Sequence, residues 1–198
     1  MQLEKLDIFN KRKYNFHIEK RGFAKRERLM TEIEDDIQQY MIETAQRWKK
    51  ESKRLLYKYR DNKKAFETVL NSVIGKGGGG VLRNIKKDLF PQFSEYVRKN
   101  ISKIEKGEFD IFSVETFPDK QPVSFISKVC HIINPKAYPV IYDSYVKKAL
   151  GIKYNKNLQE NWYKRTNEIK QTQKGNESSE DLYRVDSEYW LQGAPRIS

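Results

Sequence analysis

Metal-ligating and redox-active side chains are nearly missing from this chain. One cysteine and two histidines in 198 residues cannot assemble a cysteine-rich zinc site or hold an iron–sulfur cluster, each of which needs about four such ligands. A disulfide framework is excluded for the same reason. Metal chemistry would have to rest on carboxylates, and no metal or other cofactor is expected. No apolar run approaches the roughly 20 residues of a membrane-spanning helix. The opening MQLEKLDIFN lacks the basic and then apolar pattern of a secretory signal. The expectation is a cytoplasmic protein with no membrane partner. Strand-like alternation is scarce and no fixed-period repeat appears, so all-β and solenoid architectures are disfavoured.

What the chain has in excess is positive charge. Lys and Arg number 39 against 27 Asp and Glu, a net charge of +12. Such an excess points to a polyanionic partner, because each phosphate neutralised releases condensed counterions. Nucleic acid leads; the plain alternative is a lysine-rich surface that serves solubility. At 13% aromatic the chain is too rich in Tyr, Phe and Trp for a disordered tail, and its length suffices to bury a core. Between Lys11 and Arg28 stand eight Lys or Arg and two Glu. Residues 1–23 therefore read as a basic arm or strip, and 24–198 as a helical domain.

Apolar positions then recur at steps of three and four. Leu29, Ile33, Ile37, Tyr40, Met41 and Trp48 predict a long amphipathic helix, with a break near Lys50 before Leu55, Leu56 and Tyr59. Phe66, Val69, Leu70, Val73 and Ile74 predict a second helix ending at Gly75. Pro91 opens a third that Gly107 ends. Residues from Val123 to Ile133 form the most apolar stripe, stopped by Asn134-Pro135. Val140-Ile141-Tyr142 is extended, and Asp143 caps a short helix that stops at Gly151. Further helices are predicted from Leu158 to about Gln171 and around Leu182, Val185 and Tyr189, with a flexible loop at about 173–180. The fold class is all-α, a compact multi-helix bundle.

Two features carry candidate chemistry. Lys76-Gly77-Gly78-Gly79-Gly80, followed by Arg83, is a glycine loop leading into a helical stretch, an arrangement that can offer backbone N–H groups to a phosphate. It is not a Walker motif, since the lysine precedes the glycines and no Ser or Thr follows; an ordinary connection is the plain reading. The second is Lys128, a charge inside the most apolar helix, where it is costly unless it faces a cleft or a partner. Asp143 follows fifteen residues later, after a helix stop and an extended return long enough to bring its carboxylate back to the amine. Taken singly, Asp143 is a helix cap and Lys128 a side chain that snorkels to water. His131, one turn beyond Lys128, faces the same cleft or is a hydrogen-bonded core residue. Cys130 is packing. Tyr142 and Trp190 are core aromatics or rings that stack on a base.

The stretch Ser124-Phe125-Ile126-Ser127-Lys128-Val129-Cys130-His131, then Asn134-Pro135, Tyr138-Pro139-Val140-Ile141-Tyr142-Asp143 and Val146, resembles the catalytic segment of helix-hairpin-helix DNA glycosylases. The likeness is greatest to compact bacterial oxoguanine-glycosylase-like proteins. It covers about residues 121–151, with weaker support from Leu182-Tyr183-Arg184-Val185-Asp186, Tyr189-Trp190 and Gly193. The resemblance implies that Lys128 is the nucleophile and Asp143 its partner carboxylate, acting on a nucleotide extruded from double-stranded DNA. His131, Tyr142 and Trp190 would then contact the substrate. The family's Gly-hydrophobic-Gly turn is replaced here by Asp119-Lys120-Gln121-Pro122-Val123-Ser124, leaving Lys120 or the glycine loop as candidate phosphate contacts. The implied activity is excision of a damaged or modified base, with or without cleavage at the resulting abasic site, by a monomer serving repair or defence against phage with modified DNA. The rival from another class is a basic helical DNA-binding module without catalysis.

Overall fold

The computed structural model describes residues 23–76, 89–113, 123–153, 156–173 and 179–194. Among the described residues the chain is all-helical, with no strand. Its helices are α1 (Phe23–Lys58), α2 (Lys63–Lys76), α3 (Phe90–Lys106), α4 (Val123–Ile133), α5 (Ser144–Ala149), α6 (Leu158–Thr172) and α7 (Ser179–Gly193). The chain divides into two compact units, residues 1–41 and 42–198. In the first, the described residues belong to α1; the second holds the remainder of that helix, α2 to α7 and the apolar core.

The predicted break near Lys50 is absent, and α1 continues through it. The charged run interrupts the apolar stripe in composition but not in spacing. Ile42, Lys49, Ser52 and Leu56 are all buried, at steps of seven, three and four that keep one helix face inward. Lys and Glu propagate a helix well, and Arg54 on the outer face binds Glu51 one turn back. Two polar side chains thus occupy core positions, and the partner of Lys49 belongs to the candidate site.

Helix ends follow local chemistry. Asn62 Oδ1 accepts the Ala65 N–H at 3.0 Å at the start of α2. That helix passes through Gly75 and ends at Lys76, one residue beyond the expected stop. Pro91 stands in the first turn of α3, where its missing N–H costs nothing. Gly107 ends α3 in the left-handed region at φ 75°, with its N–H bonded to Ile104 O. Asn134, just past α4, donates from Nδ2 to Glu105 O at 2.7 Å, satisfying a terminal carbonyl of α3. The Tyr183 hydroxyl does the same for α4, donating to Ile132 O at 2.7 Å. Residues 174–178 of the expected flexible loop lie outside the described residues, while Ser179 and Glu180 already belong to α7.

α4 sits at the centre of the apolar core. Phe125, Val129 and Ile132 are almost fully inaccessible to solvent, and Phe125 meets Phe93 of α3 edge to face with ring centres 6.0 Å apart. Trp162 of α6 packs against Tyr142 in the same way at 4.9 Å. Among the described residues the most extensive helix contact is α5 on α7, where Tyr145 meets Trp190 edge to face at 5.2 Å. Gly193 permits that approach, because a Cβ there would press into the backbone carbonyl of Tyr145.

Gly193→Ala is therefore expected to destabilise the fold by about 2–3 kcal/mol through overpacking against backbone. Gly151→Ala, at φ 67° in open space, costs only the left-handed penalty of about 1–2 kcal/mol. Urea denaturation of both variants checks the order; an equal or smaller loss at Gly193 would contradict the close contact.

Candidate functional site

The site is built where α4, the extended segment before α5, α1 and α7 meet. Lys128 is a buried residue of α4. Asp143, half-buried, stands in extended conformation as the N-cap of α5 and accepts the Val146 N–H on Oδ1 at 2.8 Å. The residues between them run through the stop at Asn134, whose Oδ1 accepts the Ala137 N–H at 3.0 Å, and return along α4. The two groups lie near enough for each charge to act on the other.

Two consecutive backbone N–H groups hold that return in place. Tyr142 N–H donates to Ser127 Oγ at 2.9 Å, and Ser127 Oγ in turn donates to Ser124 O at 2.9 Å. Ile141 N–H donates to Asp186 Oδ1 on α7 at 2.7 Å. Asp143 thus follows directly on a segment fastened to the residue beside Lys128 and to a third helix. An extended segment in the core has no strand neighbour to satisfy it, so such side-chain acceptors are required.

Asp186 is the hub of this arrangement. Its other oxygen, Oδ2, accepts from Lys49 Nζ at 2.7 Å, and Lys49 Nζ also donates to Tyr183 O at 3.1 Å. Both residues are buried. Burial pushes the Asp186 carboxyl up, but the Lys49 ammonium, His131 and the Ile141 N–H outweigh it and hold the group below the ordinary value. His131 donates from Nδ1 to Tyr138 O at 2.7 Å, since a carbonyl can only accept. Nε2 then carries a lone pair without a hydrogen-bond partner among the described residues, 3.9 Å from Asp186 Oδ2. Burial first, and Lys49 second, push this imidazole down to about 4. It is a neutral core histidine at ordinary pH.

Lys128 and Asp143 are each shifted from their ordinary values in the direction of the uncharged form. Burial lowers the Lys128 amine and Lys49 adds to that, against the pull of Asp143 and Asp186. Burial raises the Asp143 carboxyl and Asp186 adds to that, against the Val146 and Tyr145 N–H groups and Lys128. Lys128 Nζ lies over the Trp48 ring, 5.9 Å from its centre.

The remaining expected site residues fall elsewhere or outside. Tyr142 is enclosed by Phe112 and Trp162 edge to face, with Lys147 Nζ 4.0 Å above its ring. Trp190 pairs with Tyr145. Cys130 is fully buried and its thiol is pushed well up by burial, which makes it inert packing. Lys76 closes α2, while Gly77, Gly78, Gly79, Gly80, Arg83 and Lys120 lie outside the described residues. Among the described residues no three His, Cys, Asp or Glu converge as a metal site needs, and no helix is long and apolar enough to cross a membrane. A cavity of about 360 Å³ is lined by Asp110, Ser127, Tyr138, Trp162 and Lys170. A second, of about 340 Å³, is lined by Tyr57, Asn134 and Leu182. Neither is lined by Lys128 or Asp143.

The hub makes stability depend on pH and on its charge pair. An unfolded histidine takes up its proton near pH 6.5, but His131 in the fold does so only near 4. Protons then favour the unfolded chain throughout that window, and stability falls by about 3 kcal/mol as pH drops through it. His131→Asn, which keeps a donor for Tyr138 O, flattens this part of the stability curve in urea titrations at stepped pH. The contribution of Asp186, held below its ordinary value, is present above the carboxylate range and is lost only as pH falls through its depressed folded value. Asp186→Asn preserves an acceptor for Ile141 but leaves the Lys49 ammonium buried without a counter-charge, a loss of about 3–5 kcal/mol. Adding Lys49→Met recovers part of it; a fully additive double variant would show that the ion pair is not the coupling. Comparison of the chain with protein-family models, with curated proteins and with solved structures finds no match.

Proposed function

We propose that this protein is a DNA glycosylase of helix-hairpin-helix type that extrudes one damaged or modified nucleotide and removes its base. The observation that carries the reading is the buried Lys128 amine on apolar α4, set within electrostatic reach of a carboxylate that caps the next helix. A net charge of +12 supports a phosphate-rich partner. The resemblance of residues 121–151 to the catalytic segment of that superfamily supports the choice of reaction.

The chemistry follows from the two groups. The desolvated amine offers a lone pair to C1′ of the extruded nucleotide. As the C1′–N bond breaks, its electron pair leaves with the base, which acquires a proton. The attached amine passes one proton toward the departing base and one to O4′ as the C1′–O4′ bond breaks, opening the sugar ring to a Schiff base. Asp143, as a carboxylate, stabilises the developing positive charge of the sugar. Loss of a C2′ proton then expels the 3′ phosphate by β-elimination. If the amine keeps its proton, Asp143 instead activates water and the product is an intact abasic site.

Duplexes carrying 8-oxoguanine, uracil, alkylated purines or an abasic site test this directly. With borohydride present, the wild type is expected to form a covalent adduct that Lys128→Gln abolishes. Asp143→Asn, which preserves the helix cap, is expected to lower base release by about 100-fold or more, as loss of a transition-state charge does. Neither adduct nor released base on any duplex, with salt-sensitive binding intact, would describe a basic helical DNA-binding module instead.

A further inference from the structure

An enzyme that works on an extruded base needs a surface to receive the base as well as groups at the sugar. Stacking on an aromatic side chain is the cheapest such surface, because every base has a π-face. The two aromatic residues first expected to contact the base are already engaged. Tyr142 is enclosed by Phe112, Trp162 and the Lys147 amine. Trp190 is held edge to face by Tyr145. Trp48 differs from both. It is half-buried on α1, it makes no ring–ring contact among the described residues, and Lys128 Nζ stands on its face 5.9 Å from the ring centre.

That distance matters in two ways. It is the outer limit of cation–π attraction, at roughly 6 Å, so the ammonium holds the indole face only weakly. It also fits the reaction. A near-attack amine sits about 3–3.5 Å from the carbon it approaches, and the departing base is bonded to that carbon. A ring centred 5.9 Å from the amine is then no more than about 9 Å from that carbon, close enough to meet the base bonded to it. The indole is anchored by its neighbour in sequence, since Lys49 is tied to Asp186 and Tyr183 O.

We infer that Trp48 is the platform on which the extruded base stacks while Lys128 and Asp143 act at its sugar; this rests on the glycosylase reading. The polar atoms beside it are largely committed to the protein: Lys49 to Asp186, and Asp186 to Ile141. Recognition by Trp48 is thus by face rather than by edge, and tolerates more than one base.

The test separates the base from the sugar. Single-turnover release is measured on a duplex the wild type processes, and affinity is measured in parallel for a tetrahydrofuran abasic duplex, which has nothing to stack. Trp48→Ala is expected to slow release by about 10- to 100-fold, the worth of one base–aromatic stack, with abasic affinity changed less than about twofold. Trp48→Phe, which keeps a ring and guards against misfolding, is expected to restore most of the rate. Equal losses on both duplexes, or no loss of release, would overturn the assignment. A wild type that neither releases a base nor forms an adduct overturns the glycosylase reading itself, and the platform with it.

Discussion

The Asp186 carboxylate is the constraint on which the candidate site depends. One oxygen holds a backbone N–H two residues before Asp143; the other holds an ammonium projecting from the middle of α1. A buried carboxylate is tolerable only when its charge is matched and its lone pairs are filled, and here both conditions are met by elements far apart in sequence. The bond from Ile141 is one link and that from Tyr142 to Ser127 the next. Between them they leave the start of α5 little freedom relative to α4.

The electrostatic setting of Lys128 depends on the same arrangement. Its amine is displaced toward the neutral form first by burial and then by Lys49, which itself stays buried because Asp186 compensates it. Asp186 therefore acts on the site in two opposite ways: directly it favours the charged amine, while through Lys49 it maintains a cation that opposes it. The half-buried Asp143 adds a second carboxylate whose charge acts on the same amine.

Local signals made most of the scaffold legible. Apolar spacing marked α2, α3, α4 and α7; Pro91, Gly107, Asn134-Pro135 and Gly151 marked ends; Asp143 before a short helix marked a cap. Each of these depends on neighbours within a few residues, through unsatisfied terminal N–H and C=O groups or a left-handed φ. The expected break at Lys50 shows the limit of that reasoning. Lys49 and Ser52 have the composition of a solvated face but the spacing of a buried one, and spacing prevailed because Asp186 waits on another helix.

The amino-acid sequence alone determined the helical class, the positive charge, and the positions of a lysine in an apolar helix and an aspartate at a helix start, because these reside in composition, periodicity and capping. Only the tertiary structure decided that Asp186 and Lys49 share one buried charge pair, that Ser127 fastens the segment leading to Asp143, and that Trp48 rather than Tyr142 or Trp190 keeps a face toward the amine. Those relations join residues between 15 and 137 positions apart in the chain, and nothing in a local pattern records which distant side chain fills a given lone pair or covers a given ring.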